Sequence, residues 1–121
     1  VKTQNRKKLT IAKFIRFLKK ELEFIKPYKV YLVTERDESM KTYAFYNPKN
    51  FDVKVYIKNR GLGDILRSIA HEFVHHKQNE DGRLEFPVQD VGGDIEDEAN
   101  AKAGSLVKKF GYENPELKIY E

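Results

Sequence analysis

The chain has 121 residues, 35% of them charged and 40% hydrophobic, with seven Tyr and eight Phe. That length holds one domain, 1 to 121, and the aromatic content is enough for a core, so disorder throughout is excluded. The absence of Cys excludes a disulfide scaffold, a thiolate zinc finger and a thiol nucleophile, leaving any metal to His and carboxylates. No uncharged apolar run approaches the roughly 18 to 20 residues of a bilayer span, and residues 1 to 8 are polar and basic; no membrane segment or signal peptide is expected, and a reducing cytoplasm fits.

The net charge of +4 is unevenly placed. Residues 1 to 26 carry nine Lys and Arg against two Glu, whereas residues 80 to 98 carry eight Asp and Glu against Arg83 alone. A basic arm attracts nucleic acid or an acidic partner, although a solvated Lys-rich helix face is the plainer account.

Ile11, Phe14, Ile15, Leu18, Leu22 and Ile25 recur at helical spacing. With Thr10 as cap and Pro27 as stop, a first helix is expected over 10 to 26. Lys29 to Thr34 reads as a strand, and Tyr43 to Tyr46 with Phe51 to Lys58 as a hairpin turned at Asn47, Pro48, Lys49 and Asn50. Val53, Val55 and Ile57 alternate with polar residues, so one face of the last strand should be buried. After the break at 59 to 63, Leu62, Ile65, Leu66, Ile69, Ala70 and Phe73 stripe a second helix ending near Gln78. A loop over 79 to 93 follows. The last helix is expected from Asp94, as cap, to Phe110, with Gly111 as its stop, and the tail from Tyr112 to Glu121 has no clear period. The order implies an α+β domain of an N-terminal helix, a small three-stranded sheet and two further helices, with helices against one sheet face.

His71-Glu72-Phe73-Val74-His75 is the His-Glu-x-x-His pattern of zinc hydrolases. On a helix the two imidazoles lie about 40° apart, one turn from each other, so both reach one ion. They fall roughly opposite the centre of the apolar stripe, which leaves the helix with a packed face and a chemical face. His76, the remaining histidine of three, lies about 100° around from His75 and cannot join them. The third ligand should therefore be a carboxylate from the acidic start of the last helix. Glu96 is the first choice, with Asn100 one turn on to orient a ligand imidazole, and Glu98 is the fallback.

Glu96-Asp97-Glu98-Ala99-Asn100 together with the histidine motif resembles the gluzincins, metallopeptidases in which a glutamate from a later helix, in a Glu-x-x-Ala/Ser-Asp/Asn signature, completes the zinc site. Over residues 43 to 110 the chain is similar to ImmA/IrrE-type proteins and stand-alone minigluzincins, departing at Val74, where a glycine or small residue is usual. The resemblance implies a zincin-like fold with an active-site helix and a glutamate helix. It also implies one Zn2+ on His71, His75 and Glu96, water in the open fourth position, and Glu72 as general base for peptide-bond hydrolysis. His76, Tyr43, Tyr112 and Tyr120 are the candidate oxyanion donors. Substrate is expected to lie extended along the hairpin edge, and the acidic tail could fold over the metal as a latency device. Two other readings remain open. One is a zinc-holding binding module that contacts nucleic acid, the less favoured partner, or an acidic protein through the basic first helix. The other is a structural zinc site closed by Asp94 or Glu98.

Overall fold

The computed structural model describes residues 2–35, 42–84 and 93–120, with side chains from residue 6 onward. The elements, in chain order, are α1 (Lys2–Leu22), β1 (Lys29–Val33), β2 (Ala44–Asn47), β3 (Asp52–Tyr56), α2 (Leu62–Glu80), α3 (Asp94–Glu113) and a 3-10 turn at Pro115–Leu117. This is a small α+β arrangement with a three-stranded mixed sheet in the order β1-β3-β2, in which β3 pairs parallel with β1 and antiparallel with β2. No helix among the described residues is long and apolar enough to cross a membrane.

Local chemistry accounts for where each element stops. α1 begins eight residues before the sequence expectation, so Thr10 is a buried residue within it and not its cap. It also ends before Pro27 is reached, because Glu23 adopts a left-handed backbone (φ 57) as its amide bonds to the Lys19 carbonyl. That turn sends Phe24 into the core and leaves Ile25, expected on the apolar stripe, 85% exposed. Lys19 and Lys20 sit in the last turn, where they complement the helix dipole. The hairpin turn is set by Asn47, whose side chain accepts from the Lys49 amide, by Asn50, which accepts from the Asp52 amide, and by Phe51 at φ 65.

Alternation along β3 buries Val53 and Val55 and turns Lys54 outward, with Phe45 and Tyr31 beside it in register on the neighbouring strands. The inner sheet face packs on α2, while α1 and α3 pack on α2 from other sides. Phe14, Phe24, Phe73 and Phe110, with Leu18 among them, fill the junctions as a largely aromatic core. α2 is consequently buried nearly all round, and its histidine face is the floor of a cleft and not an open surface.

α3 starts one residue after its cap, which is Gly93 and not Asp94; Asp94, Glu96 and Asp97 occupy its first turn, where the dipole favours acidic groups. It also runs through Gly111. That glycine is a packing residue and not a stop: a Cβ there would lie 3.0 Å from Ile119 Cδ1, and one on Gly63, at the start of α2, 3.2 Å from the Ile119 carbonyl. Ile119, buried in this seat, ties the tail to the start of α2 and the end of α3.

Candidate metal centre

A cleft of about 1230 Å³ runs between the length of β2 and the facing sides of α2 and α3. β2 and α2 run the same way along it. At one end the Arg60 guanidinium lies 4.7 Å over the Tyr43 ring, and at the other Asn79 donates to the Pro48 carbonyl at 3.0 Å. His71, His75 and Glu96 meet in the middle of this cleft.

The three side chains come from two helices. His71 and His75, one turn apart on α2, bring their Nε2 atoms to 3.2 Å. Glu96, in the first turn of α3, places Oε1 2.7 Å from His71 Nε2 and Oε2 3.2 Å from His75 Nε2. One donor atom from each residue falls within 4.8 Å of the others, so the group can hold a metal ion. Among the described residues no fourth protein group joins it: Asp94 and Glu98 stay outside.

Burial pushes the His71 imidazole below its ordinary value, against the opposing pull of Glu96. A neutral imidazole is the form that ligates metal. Asn100, one turn beyond Glu96, hydrogen-bonds the His71 ring, as its position in the signature anticipates. His75 donates through Nδ1 to Gln78 Oε1 at 2.8 Å, which turns the Nε2 lone pair toward the cleft. Gln78 in turn donates from Nε2 to the Ile95 carbonyl (3.0 Å) and to Glu98 (3.1 Å), coupling His75 to the start of α3. The sequence reading missed this residue. Its signal was a polar side chain three positions from a motif histidine, on the same helical face.

Glu98, the fallback ligand, has another task. It takes two bonds from the Arg83 guanidinium, at 2.8 and 3.2 Å, and these, helped by Gln78, hold its carboxyl down at about 2. Glu72 is 6% exposed and forms part of the cleft wall beside His71 and His75.

The four candidate oxyanion donors separate. Tyr43 lines the cleft. His76 does not: it is fully buried on the far side of α2 among Phe24, Tyr28, Tyr46, Phe51 and Phe73. There its Nδ1 accepts from the Tyr46 hydroxyl at 2.7 Å and its Nε2 donates to the Lys26 carbonyl at 3.0 Å. Tyr112 and Tyr120, 76% and 70% exposed, flank a separate hollow at the end of α3. The described part of the tail, with Ile119 seated between Gly63 and Gly111, stays out of the cleft and does not lie over the His71, His75 and Glu96 group. Arg60 and Arg67, which the sequence reading did not single out, line the cleft toward the start of α2.

Comparison of the chain with protein-family models, with curated proteins and with solved structures finds no match.

Proposed function

We propose that the chain is a small zinc-dependent peptidase of the gluzincin type, with a zincin-like fold, in which His71, His75 and Glu96 hold one Zn2+ and Glu72 is the general base. The observation that carries this reading is the convergence of those three donors in a cleft whose wall includes Glu72. The donor set fits the ion. Two imidazole nitrogens bound to tetrahedral zinc at about 2.0 to 2.1 Å stand roughly 3.3 Å apart, and the two Nε2 atoms are 3.2 Å apart before any ion is considered. Two neutral imidazoles and one carboxylate leave a bound dication a net positive charge, and three protein ligands leave it an open position.

The ion supplies Lewis acidity, lowering the pKa of a water and polarising a carbonyl. The chain's own residues do the remainder. Glu72, adjacent to His71, takes the proton of the attacking water and returns it to the leaving amine. Asn100 and Gln78 hold the ligand rings in orientation, and Tyr43, the one of the four candidate donors that lines the cleft, is the donor assigned to a developing oxyanion. The edge of β2, which carries no further strand among the described residues, lines the cleft, and an extended peptide pairs there through main-chain hydrogen bonds.

Metal analysis joined to a proteome-wide cleavage screen tests the reading. Glu72→Gln should keep its zinc and lose about 10²- to 10⁴-fold in cleavage. Undiminished cleavage by that variant, or a folded chain that stays metal-free in excess zinc, refutes it. A metal-holding module without turnover is the second reading. It rests on the exposed Arg6, Lys8, Lys13, Arg16, Lys19 and Lys20 of α1, and it predicts partner binding that is indifferent to Glu72→Gln and, for nucleic acid, steeply salt-dependent.

A further inference from the structure

The cleft is chemically lopsided. At the β2-turn end it is bounded by Pro48, Lys49 and Leu84, and at the opposite end by Arg60, Asp64 and Arg67. Arg60 is a fixture of that second end: it donates from Nη1 to the Tyr56 carbonyl (2.7 Å) and from Nη2 to the Asp64 carbonyl (3.0 Å) and Ser68 Oγ (2.6 Å). The nearby Asp64 carboxylate offsets its charge. Arg67 differs. It is exposed, it lines the cleft one helical turn before His71, and among the described residues it has neither a carboxylate nor a hydrogen-bond partner. Its Nη2 reaches across to α3, lying 4.0 Å from where a Cβ on Gly104 would begin. A planar fork of unspent donors in a cleft is the group that recognises a carboxylate in two-pronged fashion.

Strand polarity says which part of a peptide meets it. β2 starts beside Arg60 and ends beside Asn79, parallel to α2. A peptide added antiparallel to β2, the more stable pairing, therefore runs with its C-terminal side toward the start of α2.

We propose that the start-of-α2 end of the cleft is a carboxylate-binding subsite in which Arg67 makes the charged contact. The preferred substrates are then peptides presenting a carboxylate on the C-terminal side of the cleaved bond, either the terminal carboxylate or an acidic side chain. This rests on the peptidase reading. Arg67 precedes His71 by about 6 Å of helix, and an extended peptide advances about 3.3 Å per residue. With the reach of the arginine side chain, the carboxylate falls about two to four residues past the cleaved bond.

The test measures binding, by fluorescence anisotropy, of three matched N-acetylated peptides to the full zinc-supplied Glu72→Gln chain: a free C-terminal acid, its amide, and an amide ending in Glu. The acid or the Glu-amide should bind about tenfold tighter than the plain amide, the difference between those two arms naming the source of the carboxylate. Adding Arg67→Ala should erase that preference, and Lys49→Ala, at the other end of the cleft, should leave it intact. Because a carboxylate resting on the ion itself would survive Arg67→Ala, a preference that survives overturns the proposal. So does equal binding of all three peptides, or a preference lost in Lys49→Ala instead. Arg67-dependent preference upholds the subsite whatever becomes of the peptidase reading, which fails separately if the parent chain with Glu72 intact and zinc supplied cleaves nothing in the proteome-wide screen.

Discussion

His75 and His76 are neighbours in sequence and opposites in environment. His75 faces the cleft, where its Nδ1 is occupied by Gln78 and its Nε2 meets His71 and Glu96. His76 faces an aromatic pocket where both ring nitrogens are spent internally, on Tyr46 and the Lys26 carbonyl. Burial pushes its pKa down, so it stays a neutral link in a chain of bonds running from Asn79 through Tyr46 to Lys26. A turn of about 100° around the helix axis is all that separates a proposed ligand from a core residue. Residue type says what a side chain is able to do, and the partner on the other ring nitrogen says what it does.

That contrast can be broken deliberately. His75→Ala should take zinc stoichiometry from one ion per chain to none while the apo fold melts close to the parent. His76→Ala should do the reverse, keeping the ion and costing about 2 to 4 kcal/mol through the cavity and the stranded Tyr46 hydroxyl. Metal analysis beside denaturant titration reads both, and matching profiles for the two variants would erase the distinction. Gln78→Ala sharpens the cleft side: with the His75 ring no longer oriented, zinc affinity should fall about 10- to 100-fold, measurable by competition with a chelator.

Tyr46 sharpens the aromatic side with the smallest effect. Burial raises its hydroxyl from 10.0 to about 12. The unfolded chain therefore releases this proton first, and the stability contributed by the neutral phenol is complete below pH 10 and lost as pH rises through 12. Tyr46→Phe should cost about 1 kcal/mol at neutral pH and flatten the alkaline decline in stability. A decline of unchanged steepness would assign it to other groups.

The candidate ligand group was legible because each of its parts is a local pattern. One helical turn fixes the relation of His71 to His75, and the relation of Glu96 to Asn100 follows the same rule. What the sequence could not show is where the helices sit relative to one another. α3 alongside α2 turned an expected open face into a cleft floor, drew Glu98 to Arg83, and gave Gln78 its coupling role. Gly111 misled for the same reason: a glycine after a periodic run reads as a stop, and only the seat of Ile119 reveals it as clearance for a neighbour. The left-handed Glu23 is illegible in a different way, since nothing in the residue type demands φ 57.

Beyond the cleft, Glu80 Oε1 receives the amides of both Ile25 and Lys26, at 2.8 and 2.6 Å, one turn after His76 grips the Lys26 carbonyl. The connector leading into β1 is thus clasped by α2 through both polarities of its peptide groups. Such a clasp resists sliding of the helix along its own axis, because a shift by even one residue would forfeit all three bonds together. The axial setting of the His71 and His75 pair is thereby indexed to the sheet at a point remote from it, and a change at Glu80 would detune the proposed centre without touching any atom that lines it.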